Sequence, residues 1–480
     1  MSNHQREQRI NVTLMCVLIM FIISLPLFTD FLLCGTKLSY QLIRIEALKN
    51  GLEQYGLHLW SKPEWIHPMG YMLSMHYGDT FLYIPAVLNL MGLSIQASYR
   101  IFLVLINIAT VIISYKVFEK IFCDKYVGIL GAALYSASIY RIFLLYGESE
   151  LGESLALVFL PLVLYGYYLI FVKPSKWAYF TLAIGLGGIL RSHILSFCIV
   201  LIFSLIVILI HIKQLKSLKV WIQLMLAMIV MILQNLNYLY TMFRYVTCGV
   251  YALNPFEGQT IQAKGLQIAQ LFMCFYQAGG SHEFGANGVA NAVPVGLGFV
   301  LLLGIVLFMY LVFVYGDEYP ANAKRHGFKA LFIGALACYM SVLSFPWDRL
   351  SKCGGKLAEW ISAIQEPWHF LQVGLLAFSI LGCIVYKMLR EKNAMYSKIY
   401  GIGMVMAALL FSSYLATNML FTYDFVRIYI PEEIPYGEVA GMGIQVELMH
   451  NWWYVFTAVS ILTLVGNIIF VLKNTKKREQ

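Results

Sequence analysis

Charged side chains are scarce in this 480-residue chain, so those that occur near apolar boundaries carry most of its possible chemistry. Asp79 in "HYGDTFLYIP" and Glu153 in "YGESELGES" are candidate proton acceptors. A carboxylate can take the proton of an attacking hydroxyl. Arg141, Arg191 and His193, the last two in "LRSHILSF", are candidates for holding a phosphate, because guanidinium groups meet phosphate oxygens in a bidentate way. Arg44 and Glu46 in "LIRIEALKNGL" are further substrate-contact candidates, two apart on a helix and so on different faces.

Each candidate also has a plainer reading. Asp79 precedes an apolar run and suits a helix N-cap. Glu148, Glu150 and Glu153 fall where negative charge complements a helix dipole and can be solvated. Arg44 and Glu46 can be solvated at a membrane interface, and Arg191 can serve a buried acid or helix-end carbonyls. His58, His67 and His76 recur at a spacing that suits neither a helical nor a strand metal site, so no metal ligand is assigned. Trp347 and Trp368, each beside a proline, read as interfacial anchors or as sugar-stacking surfaces. Asp348 is expected to be solvated, with Arg349 or Lys352 as its ion-pair partner where it has one, and Asp30 to face the bundle interior or the interface near the end of the first span, where hydration is its plainer reading.

The elements that must position these residues follow from composition. The chain is 60% hydrophobic and 12% charged, with a mean hydropathy of +0.72. Stretches of about 20 apolar residues recur along its length, each able to cross a bilayer as a helix with its backbone bonds satisfied internally. Strand alternation is absent. The expectation is an all-α integral membrane protein, a polytopic bundle with spans near 10–34, 95–115, 126–145, 151–172, 177–190, 193–212, 220–242, 292–315, 328–345, 369–387, 398–418 and 452–472. The stretch 178–212 is too long for one span, and two short helices meeting at Arg191 fit it better.

Charge sets the orientation. Basic residues crowd the short connections, such as Lys116, Lys120 and Lys125, then Lys213, Lys216 and Lys219, then Lys387, Arg390 and Lys392, and the Lys473–Arg478 tail. The positive-inside rule then puts both termini in the cytoplasm and the long loops 35–94, 243–291, 346–368 and 419–451 outside. The net charge of +9 therefore reports orientation and gives no reason to expect nucleic acid as a partner. Membrane lipids are the expected surroundings. In "LSYQLIRIEALKNGL", Leu38, Leu42, Ile45, Leu48 and Leu52 line one face, the pattern of an interfacial amphipathic helix. The nine cysteines are scattered singly, which leaves a disulfide among Cys34, Cys248, Cys274 and Cys353 as the pairing to test.

The segments "LIRIEALKNGL", "HYGDTFLYIPAVL", "LGESLALVFLPLVLYG", "LRSHILSF", "SFPWDRL" and "IQEPWHFLQ" together resemble a bacterial group of multipass glycosyltransferase-like proteins. That group in turn resembles the GT-C superfamily. The resemblance implies a GT-C-like helix core over 95–390, a first helix within 1–34, a large outer loop 35–94 and C-terminal helices in 391–480, all in one polytopic membrane domain. It also implies a polyprenyl-phosphate-linked sugar as donor, a cell-envelope acceptor, and a catalytic acid in the first outer loop. There Gly35, Leu38, Tyr40, Leu42, Arg44, Ile45 and Glu46 keep the group's frame. Lys37 stands where the group has Asp, and Thr36 and Gln41 where it has His. A protonated lysine cannot act as the base, so the resemblance leaves Asp79 and Glu153 as catalytic candidates. It leaves three functions open: a glycosyltransferase, a silent relative that binds lipid-linked sugars or scaffolds envelope assembly, and a lipid or oligosaccharide transporter. A divalent metal stays open as a cofactor.

Overall fold

The computed structural model describes residues 3–35, 37–55, 78–247, 261–274, 295–352, 355, 361, 364, 366–421, 427–428 and 452–476. Apolar runs without strand alternation form helices almost throughout. In chain order these begin with α1 (Asn3–Ile23), the short strand β1 (Leu32–Leu33), α2 (Leu38–Tyr55), α3 (Tyr83–Leu90), α4 (Ile95–Phe122), α5 (Lys125–Ser136) and α6 (Ile139–Ile142). Next come α7 (Leu151–Phe171), α8 (Ala178–Ser192), α9 (Ile194–Ile210), α10 (Leu218–Gln234) and α11 (Leu236–Thr247). The last third holds α12 (Phe299–Val314), α13 (Ala321–Ser341), α14 (Trp347–Ser351), α15 (Leu371–Lys392), α16 (Ala394–Phe421), β2 (Arg427–Ile428) and α17 (Trp452–Lys476). The strands pair antiparallel, Leu32 with Ile428 and Leu33 with Arg427.

Among the described residues four helical stretches, Ile95–Phe122, Leu151–Phe171, Pro367–Lys392 and Ala394–Phe421, are long and apolar enough to cross a bilayer. Counting each of two bent pairs as one span raises the number to six. The chain is therefore a multi-pass helical membrane protein. The helices Ala178–Ser192, Ile194–Ile210 and Phe299–Val314 are apolar but shorter, below the roughly 20 residues that span the hydrocarbon core.

Three expected spans change shape. The run 10–34 is not one helix, because α1 stops at Ile23 and a 3-10 turn follows with Pro26 at its start. Proline lacks the N–H that a continuing helix would bond. The run 126–145 bends by 51° between α5 and the Ile139–Glu148 piece, and 220–242 bends by 73° between α10 and α11. The 178–212 run breaks as expected, but at His193, which takes extended backbone (φ −156°) two residues beyond Arg191.

Two compact units arise from the contacts. One comprises Met1–Thr36, Val104–Glu150 and Leu253–Ile428. Its core holds Phe118, Tyr135, Tyr140, Phe308, Trp368 and Phe370. Asp124 caps α5 by accepting from the Tyr126 N–H at 2.9 Å, and its other oxygen pairs with Lys387 and Arg390. The start of α5 and the end of α15 thus lie at one end of this unit. Trp347 and Trp368 are buried here, so neither is an interfacial anchor nor an open sugar platform. Trp347 stacks on Phe370 at 5.4 Å, and Trp368 meets Tyr140 edge-on at 6.2 Å. Asp348 accepts from the Gln262 N–H at 3.4 Å rather than pairing with Arg349 or Lys352.

The other unit comprises Lys37–Leu103, Leu151–Ala252 and Tyr429–Gln480. Within it α7 packs along α8, α10 lies against α8, and α17 runs beside α10 and α11. On α2 the predicted stripe of Leu38, Leu42, Ile45 and Leu48 is buried, and the helix packs on α3. That stripe meets protein, which corrects the expectation that it lies on acyl chains.

Candidate functional site

On α2, Gln41 and Arg44 are one turn apart and share a face. Arg44 Nη1 donates to Gln41 Oε1 at 3.0 Å, and Nη2 donates to Asp79 Oδ1 at 2.5 Å and to the Gly78 carbonyl at 3.4 Å. The guanidinium also lies over the Tyr40 ring, 5.4 Å from its centre. Arg44 and Asp79 are only 5% and 8% exposed, so the solvated reading of Arg44 fails. A buried cation needs a compensating charge, and Asp79 supplies it, while Gln41 and the Gly78 carbonyl accept further guanidinium N–H groups. The N-cap reading of Asp79 fails as well. Its carboxylate caps nothing; its backbone carbonyl accepts from the Leu82 N–H at 2.8 Å. Asp79 Oδ2 and Gln41 Nε2 are both buried without a hydrogen-bond partner among the described residues.

Arg191 closes the last turn of α8 and reaches the break between α10 and α11. Its Nε donates to Asn235 Oδ1 at 2.7 Å, and Nη2 donates to the Gln234 carbonyl at 3.0 Å and to Asn237 Oδ1 at 2.5 Å. Nη1 donates to Thr80 Oγ1 at 3.2 Å. Every one of these acceptors is neutral, and no carboxylate pairs with Arg191 among the described residues. The bend frees the Gln234 carbonyl from helical bonding, and Arg191 takes it up. Gly78 touches the same place: a Cβ there would fall 1.7 Å from the Arg191 carbonyl oxygen, so only glycine allows the approach. Asp79 therefore sits between two residues that both abut Arg191. Tyr238 on α11 is within electrostatic reach of Asp79, Arg44 and Arg191.

Glu153, in the first turn of α7, is fully buried, as is Glu150, so the solvated reading of these acids is overturned. The helix start still offers Glu153 the positive end of the α7 dipole. His193 is buried, and its Nδ1 is 2.8 Å from Ser196 Oγ. A Cβ on Gly152, next to Glu153, would lie 3.3 Å from the His193 ring, so these two candidates are near neighbours. Glu46 is half-buried on α2, off the Arg44 face.

Arg141 belongs to the other compact unit and is 0% exposed. It donates to the Ser136 carbonyl at 3.2 Å, to Asn107 Oδ1 at 2.8 Å and to Thr110 Oγ1 at 3.0 Å. Asn107 in turn donates to Tyr146 Oη and Ser24 Oγ at 2.9 Å, and Tyr146 donates to the Ile23 carbonyl at 2.7 Å. This network ties the end of α1 to α4 and α6. It leaves Arg141 no open face for a lipid phosphate, which corrects that expectation. Gly35 in the same unit packs on the turn at 147–149, where a Cβ would fall 2.5 Å from Ser149 Oγ. Ser149 has φ +55°, directly after a π-helix over Phe143–Glu148. A small crevice in this unit is lined by residues that include Leu134, Ile139, Leu297, Leu301 and Ala408, and none of the candidates lines it.

Thr36, His58, His67, His76, Cys248 and Cys353 lie outside the described residues. Cys34 and Cys274 are free thiols. Among the described residues no group of three His, Cys, Asp or Glu is arranged to hold a metal. No family model matches this sequence, and no curated protein matches it either.

Sequence reasoning marked Gln41 only as a departure from the resembled frame, and it missed Thr80, Asn235, Asn237 and Tyr238. A signal for two of them was available: "QNLNY" puts amides inside the apolar run 220–242, and polar groups at membrane depth tend to be functional. The contact of Gln41 with Arg44 was legible only from its place one turn before Arg44. Thr80 had no signal, since its partner lies 111 positions along the chain.

Proposed function

We propose that this protein is a membrane glycosyltransferase that moves a sugar from a polyprenyl-phosphate donor to a cell-envelope acceptor. Asp79 is its base and Arg191 its phosphate contact. Both termini lie in the cytoplasm, and the Asp79 region faces outward in the cell membrane. One observation carries this reading. Asp79 offers a buried oxygen with no partner among the described residues, beside an arginine met only by neutral acceptors. A hydroxyl that gives its proton to Asp79 Oδ2 becomes the nucleophile, and the guanidinium offsets charge gathering on the departing phosphate. The bundle contributes orientation and exclusion of water. No step is assigned to a metal.

The test is transfer of radiolabelled sugar from a polyprenyl-phosphate donor in membranes holding the full chain. Asp79→Asn is expected to lower the rate by about 100-fold or more, the scale of a lost general base. Undiminished transfer by both Asp79→Asn and Glu153→Gln would end this site assignment.

Lys37 and the commitment of Asp79 Oδ1 to Arg44 favour a second reading, a silent relative that binds lipid-linked sugar without turning it over. Donor binding that depends on Arg191 in membranes that show no transfer would establish that alternative.

A further inference from the structure

Gln41 and Asp79 each give one polar atom to the same planar guanidinium, Oε1 to Nη1 and Oδ1 to Nη2 of Arg44. Adjacent nitrogens of one rigid fork hold the two side chains side by side. Each then has one polar atom left over. Gln41 Nε2 is a donor on a fully buried residue, and Asp79 Oδ2 is an acceptor on a residue 8% exposed; neither has a partner among the described residues. Leaving such groups unmet is unfavourable, because each has given up its hydrogen bonds to water. What would satisfy them is restricted by their polarity. A phosphate or carboxylate could accept from Gln41 but would be repelled by Asp79. An ammonium could donate to Asp79 but offers Gln41 nothing. A neutral hydroxyl donates one hydrogen bond and accepts another, and so answers both.

We propose that Gln41 and Asp79 form a hydroxyl-binding site, in which a ligand hydroxyl donates to Asp79 Oδ2 and accepts from Gln41 Nε2 while Arg44 fixes both side chains. The inference rests on the proposed glycosyl transfer only for reading the hydroxyl as a sugar's. A glycerol hydroxyl of a lipid headgroup has the same chemistry. The site divides labour with Arg191: neutral oxygen at Gln41 and Asp79, anionic oxygen at the cation held by neutral groups.

The experiment is ligand-observed NMR on the full chain in lipid nanodiscs, with methyl glucoside, glycerol and inorganic phosphate as probes. Methyl glucoside or glycerol is expected to bind, and binding is expected to weaken about tenfold or more in Gln41→Leu, the loss of one well-placed hydrogen bond. Asp79→Asn is expected to weaken it similarly. The double variant Q41E/D79N exchanges the donor and acceptor, keeps a carboxylate for Arg44, and is expected to recover binding to within a few-fold. A merely structural role for the pair predicts recovery of thermal stability in the double variant with no change in probe binding throughout. The proposal is overturned if neither neutral probe binds, as when a water alone fills the site, or if binding ignores these substitutions. Preference for glucoside over glycerol identifies the source as a sugar, and the reverse preference as a lipid headgroup. Because binding is read without turnover, absent sugar transfer would count against the proposed function and leave this site standing.

Discussion

Arg44 Nη2 and Asp79 Oδ1 are 2.5 Å apart, 35 positions from each other in the chain and both buried. Their pairing joins α2 to the segment leading into α3 and fixes the carboxylate on which the proposed chemistry turns.

Breaking this pair from one side strands the other charge. Arg44→Leu or Asp79→Leu is expected to destabilise the protein by about 3–5 kcal/mol, the scale for removing one partner of a buried ion pair. The double variant R44L/D79L should be milder than either single change, because no charge is left buried alone. Thermal unfolding followed by size-exclusion in detergent measures this. A double variant as unstable as the sum of the two singles would show that the residues do not act as a pair.

Arg191 holds the α10–α11 break by its fork geometry, so charge alone should not replace it. Arg191→Lys can reach one or two of the four oxygens and is expected to loosen the break by about 1–3 kcal/mol, the range for polar groups left unmet. Hydrogen exchange of the amides at 235–239 is the readout. Protection equal to that of the parent would mean that the bend is held by packing alone.

Gly78 is tested by size. Gly78→Ala pushes a methyl group into the Arg191 carbonyl, and overpacking of this kind destabilises by about 1–3 kcal/mol. Gly92 has open space around its Cβ position but φ +97°, so Gly92→Ala controls for backbone strain without the clash. Expression and melting temperature of the two variants, with Gly78→Ala the worse at displacing the Arg191 site, separate these effects.

Orientation is checked by cysteine labelling. With the reactive native thiols replaced, Thr80→Cys should react with an impermeant maleimide added outside intact cells, and Ser217→Cys only after permeabilisation. Labelling of Ser217→Cys from outside would invert the proposed topology and remove the lipid-sugar chemistry from the outer leaflet.

Much of the architecture was legible. Helical class, membrane residence and the break within 178–212 follow from run lengths and the absence of alternation. Pro26 explains why the first run stops short of position 34, and it could have been read as a candidate break, although proline does not end every helix: Pro161 lies within α7. The bends at 136–139 and 234–236 were less visible, because no proline marks them. The "QNLNY" amides at the second bend find partners on α8 and α17, Arg191 for Asn235 and Asn467 for Gln234, that spacing along one helix cannot predict.

The candidates divide along the same line. Residue type alone marked Asp79, Arg44 and Arg191, since isolated charges in an apolar chain must be compensated somewhere. Type could not say by what. Arg141 and Arg191 carry the same guanidinium beside similar apolar runs, yet one is sealed among Asn107, Thr110 and Ser136 while the other borders Thr80 and Gly78, the two neighbours of Asp79. Composition and periodicity settled that this chain is a bundle of apolar helices, because hydrophobic burial depends on local patterns. The tertiary structure alone decided which charge meets which oxygen, because hydrogen bonds are short-range and directional and their partners here come from distant helices.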